Sequence, residues 1–175
     1  KYPLERLALL PDILFLDIET TGFLTGSSSI YLIGCAYYED GNWKLRQWFA
    51  QTPDEESEIL SAFLTFAEPY SYLIHYNGNT FDLPFLRKKA DKYGISYTLS
   101  SKKGLDIFRR ITPYKNFLKL PDCKLKTIES FLGIHREDIY TGGQLIQVYH
   151  DYTSSHDLIR TARPVFIQTI DLQKK

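Results

Sequence analysis

Asp17 and Glu19 stand one residue apart at the end of a short, nearly continuous apolar run, ILFLDIE, immediately before Thr20-Thr21-Gly22. Residues two apart on a strand point to the same face, so the two carboxylates converge on one point. Acids at the end of so apolar a strand carry a desolvation penalty unless something positive compensates them. A divalent cation would do so, and ligands offering only oxygen favour Mg2+ or Mn2+ over zinc. The alternative is a strand end whose acids simply reach solvent, and an Asp-x-Glu pair alone leaves both readings open.

A third acid, Asp82, lies in YNGNTFDLPFL at the start of a basic segment. An acid there can serve as a helix cap and nothing more. Asn77 and Gly78 build a turn that could bring backbone amides near a phosphate. The charge distribution supports a polyanionic partner. Residues 1–82 carry 4 basic and 12 acidic side chains, whereas residues 83–126 carry 12 basic and 3 acidic ones. That basic stretch includes Arg87, Lys88, Lys89, Lys92, Arg109, Arg110, Lys115 and Lys119. It suits phosphate contacts, with a merely solvated face as the alternative. Phe23, Tyr76 and Phe81 flank the acidic motifs and could stack on bases of a single strand, or belong to the core like most aromatics at these spacings. His75 reads as a strand residue beside the site rather than a ligand, and Asp106, in GLDIF, is another acid near a strand end.

Elements able to position these residues follow from periodicity. Strands are expected at ILFLDIE, IYLIGCAYYE and NWKLRQWFA, the last two joined through Asp40-Gly41, a strong hairpin signal. Pro53 opens a helix over DEESEILSAFLTFAE, from Asp54, with acids in its first turn and Ile59, Leu60, Phe63, Leu64 and Phe66 on its core face. SYLIHYN reads as a fourth strand, and a basic helix follows to Tyr93, ended by Gly94. GLDIFRR should hold a further strand or strand-to-helix junction, KLKTIESFLG a short amphipathic helix, and the residues from Gly143 to Leu172 mainly helix interrupted at Pro164. The order gives an α/β plan: a central mixed sheet, made of a three-strand antiparallel meander plus parallel strands, flanked by helices.

With 175 residues and no repeat or linker, residues 1–175 read as a single domain, taken to be a fragment of a longer protein. No apolar run reaches the length of a membrane span, roughly 20 residues, so no membrane partner is expected. Cys35 and Cys123 form no disulfide scaffold or zinc motif, and a reducing, cytoplasmic location is the expectation.

FLDIETTG, followed about sixty residues later by HYNGNTFDLPFL, resembles the first two motifs of the DEDD superfamily of 3′–5′ exonucleases. More closely, the chain is similar to YprB-type ribonuclease H-like domains, and LKTIESFLGIHREDIYTGGQLIQVYHDY extends the likeness over nearly the whole chain. The resemblance implies a ribonuclease H-like fold and two divalent cations. Asp17 would bridge both, Glu19 would bind the one that activates water, and Asp82 would bind the second. It also implies a fourth acid within a His-Asn-x-x-Asp-like segment, for which Ile167-Gln168-Thr169-Ile170-Asp171 is the matching stretch. Asp171 keeps the acid, but Ile167 stands where a His would be expected. Asp157, beside His156, is the second candidate.

The expected activity is therefore metal-dependent 3′–5′ exonucleolytic hydrolysis of DNA or RNA, with Asp17, Glu19, Asp82 and Asp171 as catalytic and metal-binding acids. Thr20, Thr21, Gly22, Asn77, Gly78, Phe81, Arg87 and Lys88 would contact the nucleic acid, held by a single-stranded or 3′ end. Glu19 argues against a haloacid dehalogenase-type phosphatase, which would want Asp at that position. Two alternatives remain: a degenerate fold that binds nucleic acid or a partner without cutting, for which Ile167 speaks, and a metal-dependent endonuclease. Oligomeric state is not legible.

Overall fold

The computed structural model describes residues 10–24, 27–135 and 140–155. Five strands form one sheet: β1 (Ile13–Thr20), β2 (Ile30–Glu39), β3 (Asn42–Phe49), β4 (Tyr72–His75) and β5 (Lys103–Asp106), in the order β3-β2-β1-β4-β5. β1, β2 and β3 make the antiparallel meander, and β4 and β5 join parallel to β1. Asp40 and Gly41 both adopt positive φ, 52° and 79°, as the tight hairpin between β2 and β3 requires.

Strand β1 alternates cleanly. Leu14, Leu16, Ile18 and Thr20 are buried on one face, while Asp17 and Glu19 point to the other. The buried face is covered by helices α1 (Glu56–Ala67) and α2 (Asp82–Tyr93), whose Ile59, Leu60, Phe63, Phe85, Leu86 and Ala90 complete the main core. Gly94, with φ of 66°, closes α2 in a left-handed cap. Short helices α3 (Ile107–Ile111) and α4 (Leu125–Phe131) follow β5, and α5 (Gly142–Ser155) ends the described chain.

Helix α5 lies over the acid-bearing side of β1. Glu19 sits opposite Leu32 in the β1–β2 register, and Leu32 opposite Phe49 in the next. Cross-strand partners share a face, and Leu145, Tyr149 and Tyr152 of α5 pack against Leu32, Phe49 and Tyr31. The Tyr31 and Tyr149 rings stack at 4.4 Å.

The elements expected within the described residues are present with small shifts at their ends; of the helix expected from Gly143 to Leu172, only the part up to Ser155 is described. The helix expected at Asp54 begins as a 3-10 turn over Pro53–Glu55, and α2 starts one residue early, at Asp82. GLDIFRR is a strand-to-helix junction, as its pattern suggested. Single 3-10 turns at Thr98–Ser101 and Thr112–Tyr114 had no sequence signal, being too short for periodicity. Pro164 lies outside the described residues. No helix among the described residues is long and apolar enough to cross a membrane.

Candidate functional site

The parallel strands β1, β4 and β5 all end at one edge of the sheet, at Thr20, His75 and Asp106, where open α/β sheets bind ligands. Asp17 and Glu19 reach this edge because β1 outruns its neighbour: pairing with β4 runs only from Ile13↔Tyr72 to Phe15↔Ile74. Beyond that point the Ile18 N–H donates instead to Asp82 Oδ1 at 3.2 Å. Asp82 is the first residue of α2, and the preceding Phe81 holds the cap position without a side-chain bond; the Asp82 carboxylate takes its own amide as well as that of Ile18. The carboxylate thus ties the helix to β1 and brings the third acid beside the first two. Between Glu19 and Thr20 the register slips by one, leaving Tyr31 as an extra residue on β2, a bulge of the kind that re-aims side chains beside functional sites.

Charge crowding follows. Burial pushes Glu19 up to about 7, and the charges of Asp17 and Asp82 push the same way. Asp82 is likewise raised to about 7, first by burial and then by Asp17, against the bonds from its own and the Ile18 amide. The donor chemistry fits a hard divalent cation, whose charge would relieve this repulsion. Among the described residues, however, no group of three or more Asp, Glu, His or Cys side chains is arranged so that it could hold a metal ion. Asp157 and Asp171, the candidates for a fourth acid, and His156, Ile167 and Gln168 lie outside the described residues.

The turn after β4 is a correction to expectation. The Asn77 amide donates to Asp106 Oδ1 at 2.9 Å, Asn79 to Asp106 Oδ2 at 3.3 Å, and Gly78 to His75 Nδ1 at 3.1 Å. The Asn77 and Gly78 amides are therefore committed within the protein rather than presented to a phosphate. Asp106, buried at the end of β5, also caps α3 through the Arg109 amide. Its place at a strand end was visible in the sequence; its role as organiser of the second acidic motif was not. Gly78 is there because a Cβ would come within 2.7 Å of the His75 ring. Burial holds His75 below its ordinary value, so the ring is neutral, and accepting at Nδ1 leaves the proton on Nε2.

The turn after β1 is organised similarly. The Thr20 hydroxyl donates to the Gly22 carbonyl, and Thr21 exchanges two bonds with Ser29, through its amide and its hydroxyl oxygen. Lys89 departs from its expected role in phosphate contact: it is 3% exposed and donates to Glu56 and to the Ser28 carbonyl. Arg87 and Lys88 are exposed, the former over the Tyr97 ring. Of the candidate stacking residues, Phe81 packs on Phe85 and Tyr76 bonds to the Cys123 carbonyl, whereas Phe23 is 82% exposed.

Residues 14–162 match the RNase_H_2 family, described as RNase_H superfamily. This chain belongs to the RNase H superfamily. Its mixed sheet with flanking helices is the RNase H-like fold. A DNA polymerase of Thermococcus hydrothermalis is 30% identical over 153 residues, an alignment taking in 71% of this chain and 9% of the polymerase. The family B DNA polymerase of the archaeon Pyrobaculum calidifontis superposes with a TM-score of 0.64 at 14% identity, covering 91% of this chain and 24% of that one. E. coli exonuclease I in complex with a dT13 oligonucleotide gives 0.53 at 13% identity, covering 93% of this chain and 44% of that one. This RNase H-like chain thus spans less than half the length of each of these relatives, and its likeness to the two solved structures is one of fold.

Proposed function

We propose that this chain is a 3′–5′ exonuclease domain of the YprB-type branch, hydrolysing phosphodiesters of single-stranded DNA or RNA with Mg2+ or Mn2+. The observation carrying the proposal is the convergence of Asp17, Glu19 and Asp82, two of them with strongly raised pKa values, at the carboxyl edge of the parallel strands. Carboxylates with perturbed pKa values cluster at functional sites. Exonuclease I as a fold neighbour, crystallised with dT13, supports the substrate class.

Asp17, Glu19 and Asp82 would hold two cations, with Asp171 or Asp157 completing the set. Bound there, the cations would supply a nucleophile at neutral pH and counter-charge for the attacking and leaving oxygens. The protein's own contribution is positioning. β1 fixes Asp17 and Glu19 on one face, the Ile18–Asp82 bond fixes the third acid against them, and Asp106 holds the intervening turn. Arg87 and Lys88, both exposed on α2, would hold the phosphate backbone without reading bases.

The test is degradation of a 5′-labelled single-stranded oligonucleotide with Mn2+, Mg2+ or chelator, alongside Asp17→Ala. A metal-dependent ladder receding from the 3′ end, absent in the variant, is the expected result. Internal cuts in an end-blocked substrate would replace this reading with an endonuclease. Binding without cleavage in either metal would replace it with a non-cutting nucleic-acid-binding module, the reading that Ile167 favours.

A further inference from the structure

Beyond the acid edge, the segment between β5 and α4 carries large apolar side chains in water. Tyr114 is 59% and Phe117 83% exposed, and Arg109, Arg110 and Lys119 in the same segment are exposed as well. This segment is a folded turn rather than a loose loop. Leu118 N–H donates to the Tyr114 carbonyl, Lys119 N–H to Asn116 and Leu120 N–H to Lys115, at 2.9 to 3.1 Å. The last two bonds form the six-to-one and five-to-two pair of a helix-ending cap, with Lys119 in the left-handed position at φ of 53°. Glycine is the unstrained residue there. A lysine in its stead adds an exposed basic side chain to the segment that carries the two rings, at the expense of backbone strain. Leu120 and Cys123, both buried, anchor the turn underneath.

The turn is also joined to the acidic motifs. It leaves β5 at Asp106, on the edge where Asp17 and Glu19 stand, and the same Asp106 holds the Asn77 and Asn79 amides. Farther on, Tyr76 Oη donates to the Cys123 carbonyl at 2.5 Å, and the Tyr76 and Phe108 rings meet edge-on at 6.0 Å.

We propose that Tyr114, Phe117 and Lys119 form a second binding site, a stacking platform for bases of single-stranded nucleic acid running away from the acid edge. Exposed rings offer a face to any base, and the surrounding arginines and lysines match the phosphates between them in charge. The proposal deepens the nuclease reading and rests on it for the kind of ligand. An apolar protein partner would leave Arg110 and Lys119 without a counterpart: residues 109–119 contain no acidic side chain, and the neighbouring Asp106 is already taken by Arg109 at 3.8 Å.

The experiment is equilibrium binding of a fluorescent twenty-nucleotide oligo-dT and oligo-U to the full chain, in chelator, from 50 to 200 mM salt, with sedimentation on the same samples. Working without metal separates the two readings, because binding is measured whether or not the protein cuts. Tyr114→Ala/Phe117→Ala should weaken binding at least about tenfold, as the loss of stacked bases implies, with little change in salt dependence. Lys119→Gly should bind more weakly with a salt slope reduced by about one, while its Tm stays the same or rises as strain is relieved. Wild-type-like binding by the double variant overturns the platform, and so does a wild-type chain that binds neither oligonucleotide. A dimer that the double variant dissolves without change in oligonucleotide affinity also overturns it, and assigns the rings to self-association.

Discussion

The Ile18 amide donates to Asp82 Oδ1 across 64 positions of sequence, so the second acidic motif is fastened to the backbone of the first. The bond lies between the two residues flanking Ile18, Asp17 and Glu19, and sets where Asp82 stands relative to both. Asp82→Asn keeps an oxygen for the Ile18 amide and removes a charge. In chelator it should be at least as stable as the parent by thermal melting, while Mn2+ should raise its Tm much less. Asp82→Ala also leaves a buried N–H without its acceptor, which costs about 1 to 3 kcal/mol. A similar Tm gain from Mn2+ in parent and Asp82→Asn would exclude Asp82 as a ligand.

Stability without metal should fall as pH rises through the range where these acids ionise. Glu19 and Asp82 move from ordinary values of 4.5 and 3.8 to about 7 in the folded chain. The folded state therefore holds protons that the unfolded state has released, and between about pH 4 and pH 7 folding becomes less favourable as pH increases. Below about pH 4 the protonated acids contribute their full stability; above about pH 7 that contribution is gone. Melting curves in chelator from pH 4.5 to 8 should show this decline, shallower in Asp82→Asn. A Tm that rises across that window in the parent relative to Asp82→Asn would contradict the crowding of charges.

How far the site could be read in advance depended on range. The carboxylates on β1 were legible because period-two alternation is local: Leu14, Leu16 and Ile18 go inward and leave Asp17 and Glu19 together. The hairpin at Asp40-Gly41 was legible for the same reason. From its position alone Asp82 could be a cap, and only the resemblance made it a third acid of the site; its partner, the Ile18 amide, lies 64 positions away on β1. Lys89 looked like one more cation of a basic face until Glu56 was found across the core, and the Asn77 and Gly78 amides looked free until Asp106 and His75 took them. In each case a long-range partner decided the role. Asp157 and Asp171 lie outside the described residues.

Gly78 makes a sharper test of the turn after β4. Its missing Cβ would lie 2.7 Å from both Cγ and Nδ1 of His75, a ring side chain that is 3% exposed and has no room to withdraw. Gly78→Ala should destabilise by about 1 to 3 kcal/mol, as overpacking does, and lower the proposed nuclease activity by displacing the turn that leads to Asp82. Adding His75→Ala should restore part of the stability, because it removes the ring that is struck. A double-mutant cycle by urea unfolding gives the coupling; additive losses would show that the clash is relieved elsewhere.

The Tyr149 hydroxyl is buried and, among the described residues, has no hydrogen-bond partner, although its ring stacks on Tyr31 and packs edge-on to Phe49. Removing a buried hydroxyl that makes no bond should relieve its desolvation, so Tyr149→Phe is expected to be neutral or more stable by up to about 1 kcal/mol. Tyr149→Ala should lose about 3 to 5 kcal/mol by opening a cavity under α5. Urea unfolding of the two variants separates ring from hydroxyl, and a large loss in Tyr149→Phe would reveal a partner for the oxygen.

Lys89 and Glu56 form a buried ion pair at 3.0 Å that joins α2 to α1 and, through Ser28 and the Ile30 amide, to the chain returning from the Thr20-Thr21-Gly22 turn. Tyr93 adds a third donor to the same carboxylate at 2.6 Å. Breaking such a pair from one side strands a charge in the core, so Lys89→Met or Glu56→Gln alone should lose about 3 to 5 kcal/mol. Removing both charges should lose much less than the sum, since neither is left unpaired, although the Ser28 carbonyl loses its donor. The two singles and the double, compared by urea unfolding, measure this directly. Because Ser29 holds Thr21, the Lys89 single should also reduce the proposed cleavage more than its residual folding explains, when assayed well below its Tm. Additive single-mutant losses would mean that water reaches the pair and that it does not fix the turn beside the acids.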